Sequence, residues 1–160
     1  MNALDPGAPP TDREDLFAVR RWGPLPDWGV GTLAVLGFLG TVGATFWEYE
    51  HRGTTFGLAG PAFNTLFAPV YEELIFRGWM LGRLERRFGP RRAIVLSSLL
   101  FGLVHVRNVY WREVDAVLGN VLYTGVLLGP LLAWVTLRTR SLWPAVVLHY
   151  ANNLTYFLRL

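Results

Sequence analysis

Five apolar segments constrain this chain more than any other feature of its sequence. A transmembrane helix needs about 20 mostly apolar residues to cross roughly 30 Å of hydrocarbon. Only 17% of the 160 residues are charged, whereas a typical soluble domain carries about 25%, and most of the charges lie between the segments. The sequence therefore predicts an all-α fold, a polytopic transmembrane helix bundle of about five spans, at residues 28–47, about 56–81, 93 to about 106, 117–137 and 142–158.

The chain divides into two predicted parts. Residues 1–27 are polar and rich in Pro, Asp and Arg, and they lack the apolar core and cleavage site of a secretory signal, so we expect a cytoplasmic tail. Residues 28–160 form the predicted transmembrane helical domain. Cys is absent from the chain, which excludes disulfide bonds and cysteine-ligated metal sites.

The arginines predict the orientation of the spans. If five spans alternate, ten of the arginines fall on one side of the membrane and four on the other. Because cytoplasmic loops carry the excess of positive charge, we expect a cytoplasmic N-terminus and an external C-terminus. The chain has no Lys, as is typical of high-GC bacterial genomes, so we expect the bacterial cytoplasmic membrane. Membrane-flanking arginines also explain the basic pI, and we expect no nucleic-acid partner.

Several ionisable side chains fall inside the predicted spans. Ionisable groups are costly in the hydrocarbon region and by default mark a functional site. The helical rise places the carboxylate of Glu72 and the imidazoles of His105 and His149 about 12 to 20 Å from the cytoplasmic ends of three different spans. Matched depths are what one shared site requires, and its candidate members are Glu72, Glu73, Arg77, His105, His149 and Asn153.

The second predicted span carries the acidic residues. Glu73 precedes Arg77 by four residues, the favoured orientation for an ion pair along one helix face. This pairing would neutralise Glu73 and leave Glu72, about 100° round the helix, free for chemistry. Pro69 removes a helical hydrogen bond just before the acidic pair, so we expect a kink there.

Two more pairs have the same four-residue spacing. His149 and Asn153 share one helix face and can address one substrate atom, and Phe101 lies one turn before His105. Each pair taken alone is also explained as a hydrogen bond or ion pair that joins helices. The complete set at one depth favours a functional site over such separate structural contacts.

The three motifs, in their order along the chain, resemble those of a known family. Glu-Glu-x-x-x-Arg at Glu72, Phe-x-x-x-His at Phe101 and His-x-x-x-Asn at His149 are similar to the motifs of the CPBP family. This group of intramembrane proteases comprises CAAX proteases and bacteriocin-processing enzymes, and is also called the Abi family. The resemblance covers about residues 63–158. Family members usually have about eight spans, so this chain resembles a minimal catalytic core.

The resemblance implies that the protein hydrolyses peptide bonds in or near the membrane. Glu72 would be the general base and would activate a water together with His105, and His149 and Asn153 would hold the oxyanion. Glu73 and Arg77 would support the site. The implied substrate is a membrane-embedded or membrane-associated protein or peptide in the lipid bilayer, whether a prenylated tail, a bacteriocin-like peptide or a C-terminal sorting signal.

Metal dependence and two other functions stay open at this point. We favour a mechanism without a cofactor because the chain has no His-Glu-x-x-His motif. If zinc takes part instead, Glu72, His105 and His149 are the candidate ligands. A proton or ion transporter would also bury Glu, Arg and His, although no inverted repeat is seen. The remaining alternative is a non-catalytic immunity protein.

Overall fold

The computed structural model describes residues 27–51, 54, 59–110 and 112–158, and all regular elements within them are helical. The predicted tail, residues 1–27, lies outside this part of the chain except for Asp27. That residue begins helix α1, Asp27–Glu50, which has 24 residues. At 1.5 Å per residue, α1 is about 36 Å long and matches the first predicted span.

The second predicted span is interrupted for one residue, two positions before Pro69, where a kink was expected. Helix α2, Ala59–Leu66, is followed by a turn at Phe67, and α3, Ala68–Glu73, begins immediately afterwards. Pro69 lies in the first turn of α3, where its missing N–H costs nothing, but it cannot continue α2. The predicted start of this span, near Phe56, lies outside the described residues.

Helix α3 continues without a loop into a wider helical turn and then into a further helix. Residues Leu74–Leu81 form a π-helix, and α4 follows at Gly82–Phe88. Arg77 lies within the π-helical segment, and such segments occur frequently at functional sites. Its four-residue spacing from Glu73 nevertheless keeps the two side chains in contact.

The arginine-rich segment between the second and third predicted spans is helical and contains only a one-residue turn. Gly89 has a φ of 79°, a conformation that Gly adopts without steric cost. Helix α5, Pro90–Val104, begins directly after it and is followed by a 3₁₀ helix, His105–Tyr110. The predicted third span therefore starts earlier than Ala93, and Arg91 and Arg92 occupy the first turn of α5.

The last two predicted spans are continuous helical stretches. Helix α6, Val114–Leu122, passes through a π-helical segment, Tyr123–Leu128, into α7, Gly129–Thr139. Helix α8, Trp143–Phe157, follows the turn at Arg140. By length and composition, two stretches in the described residues can each cross a membrane, Pro90–Val109 and Val114–Thr139. The count of five spans stays a prediction.

Close packing of small residues joins α5 to the α6–α7 stretch. A Cβ atom added to Gly102 would lie 2.7 Å from the Cα atom of Gly125, so only glycine fits there. Ser98 packs in the same way against Gly129. Helices associate in membranes through such small residues because the backbones can then approach closely.

Polar and charged side chains lie among apolar residues in the interior of the bundle, and many large apolar side chains are exposed on its outside. Glu73 and Arg77 are completely buried as a pair, whereas Leu127 on the outer face is 64% exposed. Ionisable residues of membrane-spanning helices usually face the bundle interior and pair there. The small apolar cluster beneath the charged groups includes Phe76, Phe101 and Leu132.

Candidate active site

Glu73 is the centre of a completely buried charged network. Its Oε1 atom accepts a hydrogen bond from Arg77 Nη1 at 3.0 Å and lies 2.8 Å from His149 Nδ1. Arg77 Nη2 donates to the Gly129 carbonyl at 3.2 Å, and its guanidinium lies 4.2 Å from the centre of the Phe101 ring. The predicted ion pair of Glu73 with Arg77 is therefore confirmed, and it also connects α3, α7 and α8.

Glu72 lies on another side of the helix and shares only His149 with the partners described for Glu73. Its Oε1 atom accepts a hydrogen bond from Tyr71 Oη at 3.4 Å and lies 3.6 Å from Arg107 Nη2. Its Oε2 atom lies 3.9 Å from His149 Nε2. Glu72 is thus outside the ion pair of Glu73 with Arg77, as expected, and a second arginine, contributed by the 3₁₀ helix after α5, approaches it.

His105 is fixed at the end of α5. Its Nδ1 atom lies 2.8 Å from the Phe101 carbonyl oxygen, so Nδ1 carries the hydrogen in the tautomer that satisfies this contact and Nε2 is an acceptor. The Phe101 ring contacts His105 edge to face at 5.1 Å between centroids and His149 at 5.7 Å. The predicted contact of Phe101 with His105 is confirmed, and the same core ring also contacts His149.

Asn153 lies one turn beyond His149 and is held by two other amide groups. Its Nδ2 atom donates to the Asn64 carbonyl at 3.4 Å, and its Oδ1 atom accepts from Asn152 Nδ2 at 3.1 Å. Tyr123 Oη in turn donates to Asn152 Oδ1 at 2.6 Å. The bond to Asn64 is at the long limit for a hydrogen bond, and it uses one of the two hydrogens that the Asn153 amide carries.

A single cavity of about 580 Å³ brings the candidate groups together. Its wall includes Glu72, His105, His149 and Asn153, the four residues to which the resemblance assigns catalytic roles. Glu73 and Arg77 do not line it but lie behind His149, where they support the imidazole. The cavity volume is within the range of small-molecule sites, about 300–1,000 Å³.

Sequence reasoning missed several members of the cavity wall. Arg107 was counted among the charges outside the spans, although it follows His105 by two residues. The signal that would have found it is charge balance, since two buried glutamates and one buried arginine leave a carboxylate without a counter-ion. Tyr71 also contacts the site, and Thr41 of α1 hydrogen-bonds its hydroxyl group.

The hydrogen-bond partners of the two histidines suit both the metal-dependent and the metal-free mechanism. The Nδ1 atoms of His105 and His149 each face an acceptor, a backbone carbonyl and a carboxylate respectively. This arrangement is common in metal-ligating histidines, and it is equally suited to acid–base catalysis. Among the described residues, no three His, Cys, Asp or Glu side chains are arranged to hold a metal ion.

Comparison with known proteins agrees with the motifs. The family model for the type II CAAX prenyl endopeptidase Rce1-like proteins matches residues 54–155, which include all the candidate site residues and leave α1 outside the match. Neither the curated proteins nor the solved structures yielded a significant match. Because the family model covers more than half of the chain, this protein belongs to the Rce1-like family of CAAX-type membrane proteases.

Proposed function

We propose that this protein is an intramembrane endopeptidase in which Glu72 is the general base. The observation that carries the proposal is the cavity shared by Glu72, His105, His149 and Asn153, whose side chains come from three separate helical segments. Amide hydrolysis needs groups that accept a proton from water and groups that donate hydrogen bonds to the oxyanion. A carboxylate, two imidazoles and an amide around one cavity can supply both.

The first step adds water to the scissile carbonyl. Glu72 and the Nε2 atom of His105 hold the water as hydrogen-bond acceptors, and Glu72 takes one of its protons as the oxygen bonds to the carbonyl carbon. The carbonyl π-electrons move to the oxygen and form the tetrahedral oxyanion. Proton transfer by a positioned side chain typically contributes 10² to 10⁴-fold in rate.

Asn153 and His149 face the position of the developing oxyanion. Asn153 Nδ2 retains a second hydrogen beyond its contact with Asn64. His149 donates through Nδ1 to Glu73, so its Nε2 atom donates to the oxyanion when the ring carries its second proton. The intermediate collapses when Glu72 returns its proton to the amide nitrogen. The C–N bond then breaks, which releases a carboxylic acid and an amine.

The substrate we propose is a prenylated C-terminal peptide segment. An apolar groove of about 590 Å³ adjoins the polar cavity, and Phe38, Val42 and Phe46 of α1 line it together with Arg107. The groove can hold a hydrocarbon chain, whereas a helix about 10 Å in diameter would need more room. A lipid chain in the groove would present its peptide to Glu72, because the two cavities share five lining residues: Thr41, Thr45, Tyr49, Arg107 and Asn108.

The decisive experiment uses purified protein in liposomes. The substrates are a farnesylated fluorogenic peptide ending in a CAAX sequence, the same peptide without the lipid, and an apolar transmembrane peptide. We expect cleavage of the farnesylated peptide by the wild type and none by Glu72→Gln. Glu113→Gln removes an exposed carboxylate before α6 and is the matched control. Equal cleavage of the farnesylated peptide by the wild type and by Glu72→Gln would disprove the assignment of Glu72 as the general base.

A further inference from the structure

Arg107 is a second cation in the buried charged cluster. It lies in the 3₁₀ helix that follows α5, two residues after His105. Its Nη2 atom is 3.6 Å from Glu72 Oε1, and its guanidinium lies 5.5 Å from the Phe38 ring on α1. It lines both the polar cavity and the apolar groove, so it lies at the junction of these two spaces.

The charge balance of the cluster depends on Arg107. Glu72 and Glu73 are adjacent and both buried, and Arg77 is committed to Glu73, to the Gly129 carbonyl and to the Phe101 ring. Among the described residues, Arg107 is the permanently charged cation within 4 Å of Glu72. Removing one partner of a buried ion pair leaves an uncompensated charge, which is costly.

The contacts of the two arginines differ in a way that suits different tasks. Arg77 is 0% exposed and makes a short bond to its carboxylate, whereas the Arg107 side chain is 22% exposed and lies 3.6 Å from its own. Charge-assisted hydrogen bonds are usually about 2.7–2.9 Å long. Arg77 is therefore fixed in one arrangement, while Arg107 interacts mainly by charge and borders the space in which the substrate would lie.

From this geometry we infer that Arg107 is a positioning residue for the base, an inference that rests on the proposed function. Its positive charge lies beside Glu72 and orients the carboxylate toward the cavity in the resting enzyme. When Glu72 accepts the proton of water, the negative charge moves to the oxyanion in the same cavity. Arg107 then compensates that charge, so the net charge of the site is unchanged through the step. It forms no covalent bond and transfers no proton.

Kinetics of two substitutions test the inference. Arg107→Gln should lower kcat by roughly 10²-fold, the effect of removing one preorganised electrostatic partner, with little change in KM. Arg107→Lys keeps the charge and should restore much of the lost kcat. Arg138→Gln, at an exposed position of α7, is the matched control. Wild-type kcat in Arg107→Gln, or equal losses in the Gln and Lys variants with unchanged thermal unfolding, would overturn the inference.

A wild-type protein that cleaves no peptide would instead defeat the proposed function, whereas an active wild type with an unaffected Arg107→Gln variant would defeat this inference alone.

Discussion

His149 Nδ1 lies 2.8 Å from Glu73 Oε1, so the carboxylate that pairs with Arg77 also orients an imidazole of the site. Because Nδ1 of His149 is directed toward Glu73, its Nε2 atom faces Glu72 and the cavity. The ion pair is therefore more than a connection between helices. It sets the direction of the ring that we propose to face the oxyanion.

This network predicts a large loss of stability when one of its members is removed. Glu73→Gln and Arg77→Ala each leave a buried charge unpaired, which typically costs 3–5 kcal/mol, and we expect activity to fall with stability. Thermal unfolding in detergent measures the loss. Glu85→Gln breaks the more exposed ion pair with Arg140 and should cost less than about 1 kcal/mol. Unchanged unfolding of Arg77→Ala with lost turnover would assign Arg77 to substrate binding instead.

The close contact of α5 with the π-helical segment Tyr123–Leu128 predicts a second effect on stability. Gly102→Ala places a methyl group 2.7 Å from the Cα atom of Gly125, and overpacking of this kind typically costs 1–3 kcal/mol. Because His105 follows one turn later, turnover should fall as well. The control is Gly119→Ala on α6, where no atom lies within 4 Å of the added methyl group. If Gly102→Ala and Gly119→Ala have the same unfolding temperature, α5 does not approach Gly125 as closely as described.

The metal question yields a third prediction. We expect the enzyme to remain active after exhaustive chelation and dialysis, and to contain well under one zinc ion per chain by elemental analysis. The reason is that Glu72, as an ionised carboxylate beside His105, already provides the proton acceptor that water addition requires. Stoichiometric zinc, with activity lost on its removal and restored on its return, would make Glu72, His105 and His149 ligands.

Membrane topology is the subject of the fourth prediction. The N-terminus and the segment from Arg83 to Arg92 should face the cytoplasm, and Leu160 should lie outside. Both termini fall outside the described residues, so reporter fusions at each end are the measurement. The segment between α4 and α5 is tested by labelling a cysteine introduced at Arg87, an exposed position. A cytoplasmic signal from the C-terminus would mean an even number of spans.

Much of the candidate site is predictable from the sequence because burial of ionisable groups is so costly. Glu72, His105 and His149 stand out inside apolar segments, and their helical spacing predicts which neighbours they contact on the same helix. The pairs of Glu73 with Arg77 and of Phe101 with His105 were found in this way, since both are local contacts of four residues. Local geometry, however, says nothing about which groups approach from other helices.

The amino-acid sequence by itself therefore determined the helical class, the family and the residues whose burial requires a function. The tertiary structure alone decided that Glu73 also holds His149 and that Arg107 is the counter-ion of Glu72. The physical reason is that these two kinds of information act over different separations along the chain. Hydropathy and helical periodicity act between residues a few positions apart, whereas the partner of a buried charge is chosen by whichever distant helix packs against it.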